Sequence, residues 1–337
     1  MDTILYSNTG ANSVKCNICR HRCILPPGGR GICRVRRNVD GKMVSLVNGK
    51  ILASAVDPIE KKPLFHFLPG SQSFSVASAG CNFSCRFCQN AEIARFDDKG
   101  TGIFPGRDLP PEESVRMALA SSCSSISFTY TEPTVWFEYA LETARLSAEA
   151  GLYNIFVTNG YITPDALSMI APFLHGANID LKAMSDSFYS RLCGARLSEV
   201  LDCIRDYRRK GIWIEITTLV IEGENDDPEQ LRTTAGFIAE ELGPDTPWHV
   251  SRFFPRHLMS DRRPTPGRCM EAALEAGDMA GLRYVYEGNV ESGRENTICP
   301  FCGATVVGRN GYRVVSMNIR DGSCGTCGRE IAGIWGC

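Results

Sequence analysis

Across residues 61–290 the chain alternates short, nearly uniform apolar runs with longer amphipathic stretches. The runs fall at 73–79, 125–130, 153–158, 178–181, 212–220 and 249–254. Their length and β-branched content read as strands buried on both faces. Between them helix signals appear. Pro111, Glu112 and Glu113 open a helix over 111–121. The stretch 134–150 stops at Gly151, and Thr163 with Pro164 supplies the cap and first turn of a helix over 165–174. The stretches 198–210, 228–242 and 266–280 each stop at a glycine. Strand followed by helix, six times, predicts a parallel α/β sheet with right-handed crossovers, either open and doubly wound or an incomplete (β/α)6 barrel.

In parallel α/β folds ligands bind at the carboxyl ends of the strands. Here those ends are polar one after another. The first leads into Gly80, Cys81, Cys85 and Cys88, and the second into Thr129, Thr131 and Glu132. The third leads into Thr158, Asn159 and Gly160, and the fourth into Asp180 and Lys182. The fifth carries Glu215, Thr217 and Thr218, and the sixth His249 and Ser251. One polar strand end is ordinary surface. Six in a row, beginning with three cysteines, predict a site.

Cysteine changes the picture most. Of the 16 in the chain, Cys16, Cys19, Cys23 and Cys33 form one group, Cys81, Cys85 and Cys88 a second, and Cys299, Cys302, Cys324 and Cys327 a third. Cys123, Cys193, Cys203, Cys269 and Cys337 are scattered and read as idle thiols. The groups divide the chain into an N-terminal metal-binding segment over 1–60, with a hairpin expected around 44–56, a barrel over 61–290, and a small metal domain over 291–337. The middle spacing, C-x3-C-x2-C after a strand, suits three irons of a cubane cluster whose fourth iron stays open. Phe83 and Phe87 are placed to shield it.

The last group is two C-x2-C knuckles, each followed by glycine (Gly303, Gly328). It suits a zinc ribbon, with a rubredoxin-type iron as the rival. The first group, C-x2-C-x3-C-x9-C, matches neither a ferredoxin run nor paired knuckles. Zinc and an auxiliary 4Fe–4S cluster both remain open there.

The stretch GCNFSCRFCQN at 80–90 resembles the cluster loop of radical S-adenosylmethionine (SAM) enzymes, above all the branch related to pyruvate formate-lyase activating enzyme. KKPLFHFLPG at 61–70, TYTEPT at 129–134, VTNGY at 157–161, IDLKA at 179–183, YEGNV at 286–290, the two knuckles and the GIW near the end are similar to AmmeMemoRadiSam-system radical SAM proteins. The resemblance spans nearly the whole chain. It implies the incomplete barrel, a 4Fe–4S cluster on Cys81, Cys85 and Cys88, and SAM chelated to the open iron. Reductive cleavage would then give a 5′-deoxyadenosyl radical that abstracts hydrogen from a substrate. It implies that Thr129, Thr131 and Glu132 stand where the class has a Gly-Gly-Glu-Pro strand end, Glu132 accepting from the SAM amino group. By the same resemblance Lys182 pairs with the SAM carboxylate or orients the ribose, and Asp180 fixes it or a cation. Asn159 and Thr217 would touch ribose or carboxylate, and His249 the adenosine end or substrate. The implied partners are an electron donor of flavodoxin or ferredoxin type and Amme- and Memo-family proteins. The substrate stays unnamed: a partner protein's glycine, as for a glycyl-radical-enzyme activase, or a peptide, RNA or small molecule.

Composition adds limits. The chain is 43% hydrophobic and 22% charged, with a formal net charge of -2, so no global basic field points to nucleic acid. No signal-peptide pattern opens it and no run of about 18 apolar residues interrupts it, which predicts a cytoplasmic protein off the membrane. The competing class is a non-catalytic zinc-binding scaffold or nucleic-acid module. That class accounts for the end groups but not for an unpaired triad at a strand end.

Overall fold

The computed structural model describes residues 3–290 and 293–336. The expected boundary at 291 and the thiol of Cys337 lie outside the described residues. The central sheet has eight strands: β1 (Ala53–Pro58), β2 (Gln72–Ala77), β3 (Ser125–Phe128), β4 (Tyr153–Thr158), β5 (Gly176–Asp180), β6 (Trp213–Val220), β7 (Trp248–Arg252) and β8 (Val285–Gly288). They lie side by side in chain order, and the described strands do not close on themselves. From β2 to β8 every pairing is parallel, while β1 runs antiparallel to β2.

Each crossover between parallel strands carries a main helix: α1 (Pro111–Ala120), α2 (Phe137–Glu149), α3 (Pro164–Ile170), α4 (Leu197–Arg209), α5 (Pro228–Phe237) and α6 (Gly267–Met279). The six expected units of the partial barrel are therefore present, with β8 added as a seventh parallel strand. Thr163 caps α3 as expected, its hydroxyl accepting from the amide of Ala166 at 3.3 Å.

Alternation along the strands separates two faces. Phe74, Val76, Phe128 and Phe156 join the core under the helices. Ser73 and Ser75 on β2 point the other way: Ser73 meets the Ser127 hydroxyl at 2.6 Å, and Ser75 donates to Asp57 at 2.8 Å. Across the same inner face Thr217 donates to Asn178 at 2.9 Å. The lumen is thus polar where the outer core is apolar.

The hairpin expected around 44–56 is not formed. Arg36–Val39 and Lys42–Ser45 make the hairpin instead, and the following strand leaves to become the sheet edge β1. The apolar positions of 53–58 are too few to show that edge role. The N-terminal segment otherwise forms a small antiparallel sheet of Tyr6–Gly10, Ser13–Cys16 and Ile24–Leu25. Its Val14, Ile18 and Val35 share one core with Phe83 and Ile162 of the barrel.

The C-terminal segment pairs β9 (Thr297–Ile298), β10 (Thr305–Asn310) and β11 (Arg313–Met317) and packs against the amino ends of the barrel strands. Arg309 is fully buried there, its guanidinium 4.2 Å from the Phe65 ring centre and donating to the Phe65 carbonyl at 2.6 Å. Leu68 donates to Ile334 at 2.6 Å and Ile334 to His66 at 2.7 Å.

Candidate functional site

The loop after β2 carries the triad. Gly80 opens it at φ +99°, and a Cβ there would lie 2.6 Å from Val35. That position needs glycine on both counts. A turn of π-helix, Tyr189–Cys193, holds the loop from the other side. Ser84 donates to the carbonyl of Cys193 at 2.8 Å and Arg86 to that of Leu192 at 2.9 Å. The Cys193 thiol thereby reaches Cys85. Its hydrogen bond is the largest influence on Cys85 and holds that thiol below the ordinary range against the opposing effect of burial. Cys193 is therefore buried against the cluster loop.

Cys81, Cys85 and Cys88 are half-buried, and no three ligand atoms including them lie mutually within 4.8 Å among the described residues. Three thiols spread this way suit the corners of a cubane better than a single ion. Phe83 and Phe87 are buried behind them, as expected. The Asn159 amide donates to Asn82 Oδ1 at 2.7 Å and approaches Cys81 Sγ at 3.7 Å. Asn159 Oδ1 and Asn82 Nδ2 are buried without a partner. A buried amide acceptor and donor left open beside the thiols fit a polar cofactor group there. Asn82 is a contributor that the spacing of the cysteines did not reveal.

Lys182 pairs with Asp180 at 2.7 Å, and its ammonium stands 5.7 Å from the Phe87 ring centre. Both are at the carboxyl end of β5 beside the triad, as expected. Tyr130 adds a second cluster. Its hydroxyl bonds to Asp57, which also holds Lys62 at 2.7 Å, and Lys62 lies 4.8 Å from the Tyr130 ring centre. Burial pulls the Lys62 ammonium down to about 8 against its pairing with Asp57. Lys62 and Tyr130 lay in quoted motifs but were not singled out, and Asp57 falls just past the expected hairpin and outside those motifs.

Five of the expected contact residues already have partners within the protein. Glu132 is buried and already accepts from Thr134 (backbone and hydroxyl), Thr158 at 2.9 Å and the Asn159 amide at 2.8 Å. Three of these bonds end on Oε1 and one on Oε2, which leaves one acceptor position on Oε2. Burial pushes its pKa up even so. Thr131 has internal partners as well, donating to Ser78 at 2.7 Å and accepting from Trp136 at 3.2 Å. Thr217 is bound to Asn178 inside the lumen. His249 meets Glu215 at 2.6 Å and stacks on Tyr286, deep in the barrel toward the C-terminal segment. It braces that segment and is not at the rim. Thr129 is buried, its amide donating to Val76 at 3.1 Å.

The two quartets lie at opposite ends. Cys299, Cys302, Cys324 and Cys327 bring their sulfurs mutually within 4.8 Å, with Cys299–Cys327 at 3.7 Å and Cys302–Cys324 at 3.8 Å. The amides of Gly303 and Gly328 close each knuckle onto the carbonyls of Cys299 and Cys324, at 3.0 and 2.8 Å. A metal ion fits this set. Cys16, Cys19, Cys23 and Cys33 line one cavity at the triad's end of the barrel, Cys19 bridging to Ile162 beyond β4.

The sequence profile of the radical SAM superfamily matches residues 75–235. The uncharacterized protein MJ0808 of Methanocaldococcus jannaschii is 39% identical over 333 residues, 98% of each chain. MJ1632 of the same organism, named as a candidate glycyl-radical enzyme activating enzyme, is 25% identical over 187 residues, 54% of this chain and 68% of that one. A radical SAM methyltransferase structure from Sphaerobacter thermophilus superposes with a TM-score of 0.52 at 17% identity, over 66% of this chain and 68% of that one, a likeness of fold. With the triad on the first βα loop of that fold and the profile spanning it, the chain belongs to the radical SAM superfamily.

Proposed function

We propose that the protein cleaves SAM reductively and abstracts hydrogen from a substrate held at the mouth of the polar lumen. The observation that carries this reading is the spread of Cys81, Cys85 and Cys88 on one rim loop, with open amide groups and a lysine beside them. A 4Fe–4S cluster bound there supplies an open iron for SAM and the electron that releases a 5′-deoxyadenosyl radical. Lys182, steadied by Asp180, holds a carboxylate. Asn159 Oδ1 accepts from an ammonium, and Phe83 and Phe87 keep water from the thiols. Ser73, Ser75, Ser127 and the Asp57–Lys62–Tyr130 trio give the lumen hydrogen-bonding groups, which suits a polar substrate group. The C-terminal quartet holds zinc as a staple, its sulfur separations matching the roughly 3.8 Å of a tetrahedral site with Zn–S near 2.3 Å. The terminal motifs support placement with the AmmeMemoRadiSam-system proteins.

Anaerobic reconstitution with iron, sulfide, a reductant and SAM is expected to yield 5′-deoxyadenosine and methionine, and Cys88→Ala to yield neither. Cluster-loaded protein that forms no 5′-deoxyadenosine would sink the proposal. A second reading, hydrogen abstraction from a partner protein's glycine, is favoured by the partial likeness to MJ1632. Label transfer from glycine-deuterated partner protein into 5′-deoxyadenosine separates the two.

A further inference from the structure

We propose that Cys16, Cys19, Cys23 and Cys33 hold a second 4Fe–4S cluster that passes electrons to the first. All four thiols line one cavity, with Cys16, Cys19 and Cys33 buried and Cys23 half-buried. Yet no three of them lie mutually within 4.8 Å among the described residues. A tetrahedral zinc would draw its sulfurs to about 3.8 Å. The same chain shows that closure at its other end, at 3.7 and 3.8 Å. The N-terminal thiols instead share their cavity with Ile18, His21, Ile32 and Arg36. The quartet shares its wide spacing with the triad, the set that the superfamily assigns to a cubane. Arg36, buried and held by Glu138 at 3.0 Å, faces the same cavity and offsets thiolate charge.

Its position gives the second cluster a task. His21 on the quartet's loop meets the carbonyl of Asn82 at 2.9 Å. Gly80, covalently joined to Cys81, packs so closely that a Cβ would lie 3.1 Å from the carbonyl of Cys33. One van der Waals contact therefore separates the two ligand loops. A flavodoxin- or ferredoxin-type donor gives up one electron to the outer cluster, which returns to its oxidised state on reducing the inner one; no bond is made or broken. Ile24 and Ile32 are exposed beside Cys23 and Cys33 in the chain, as are Arg22 and Arg34, apolar and cationic groups that suit an acidic donor. This relay rests on the radical SAM reading; the cluster itself does not.

The test uses the full chain carrying Cys81→Ala, Cys85→Ala and Cys88→Ala, reconstituted anaerobically with iron and sulfide. Expected are about four irons and four sulfides per chain, with visible absorbance that bleaches on reduction and a paramagnetic signal. Adding Cys16→Ser and Cys33→Ser is expected to remove them while zinc content and melting temperature hold. Cys23→Ser alone, at the half-buried ligand, repeats the comparison should the double change unfold the protein. Zinc, a single iron or no metal in the quartet overturns the cluster. With the triad intact, Cys16→Ser/Cys33→Ser is expected to slow 5′-deoxyadenosine formation severalfold with reduced flavodoxin but not with a small chemical reductant. An equal effect with both overturns the relay. Iron in the quartet of a wild-type protein that never cleaves SAM would sink the proposed activity and leave the cluster standing.

Discussion

The C-terminal quartet closes its sulfurs to 3.7 and 3.8 Å across two glycine knuckles, whereas the N-terminal quartet leaves its four thiols around an open cavity. The first sits under the amino ends of the barrel strands, against Phe65, Tyr284 and Tyr286. The second sits at the carboxyl ends, sharing a core with Phe83 of the cluster loop. In barrels of parallel strands the carboxyl end hosts chemistry and the amino end stability. Cysteine count alone makes the two quartets equivalent. Turn geometry and the end of the barrel they occupy are what the proposed roles rest on, a staple for one and a redox centre for the other.

The largest effect that would test this division is removal of the staple. Cys324→Ala leaves three ligands, and structural zinc sites carry much of the folding energy of small domains. The C-terminal segment also seals Arg309, Glu60 and His66 from water. Its undocking would expose buried charge and is expected to cost on the order of 5 kcal/mol. Chemical denaturation with zinc counting measures this. SAM cleavage per folded molecule is expected to persist. A variant of unchanged stability that loses radical chemistry would reverse the assignment of the two ends.

A gentler probe of the same end is acid. Burial is the main influence pulling His66 down to about 4; Glu215 opposes it, while Arg309 and His249 add to it. Its Nδ1 donates to the carbonyl of Ala332 at 2.7 Å, so in the neutral ring Nε2 accepts from the Tyr286 hydroxyl at 2.6 Å. Between about pH 6.5 and 4 the unfolded chain binds this proton and the folded chain does not. Stability from this group is therefore present above pH 6.5 and falls as pH drops, by about 3 kcal/mol across the window. Melting curves at stepped pH should show the decline, and His66→Gln should flatten it. A slope that survives the substitution would place the acid sensitivity elsewhere.

Much of the barrel was legible because its strands are short runs buried on both faces and most of its helices stop at or just before a glycine. The seventh strand was not: β8 reads Val-Tyr-Glu-Gly, too short and too polar to stand out. The edge strand β1 was lost for a related reason, since Val56 is exposed and Asp57 buried, the inverse of the usual pattern. The triad, Asp180 and Lys182 could be found because a strand end fixes their position locally. His249 proved to be the second residue of its strand rather than at the carboxyl end, and the partners that Glu132 already has could not be read, because a sequence position does not say what occupies a side chain's hydrogen bonds. Cys193 meets Ser84 of the cluster loop across 109 residues of chain through a π-turn, and no local pattern encodes that meeting.

The smallest effect addresses the contact between the outer quartet and the triad. Gly80→Ala places a side chain at φ +99°, with its Cβ 2.6 Å from Val35 and 3.1 Å from the Cys33 carbonyl. Left-handed strain and overpacking of one methyl together are expected to cost about 2 kcal/mol. Val35 and Cys33 flank a single turn, so relief of the clash displaces a quartet ligand before it displaces β2, which is held by β1 on one side and β3 on the other. Iron at the triad is therefore expected to survive, while cleavage driven by a protein donor slows more than cleavage driven by a chemical reductant. Unchanged melting and unchanged rates with both reductants would mean that the two ligand loops move independently, and the rim would then hold two separate metal sites and no relay.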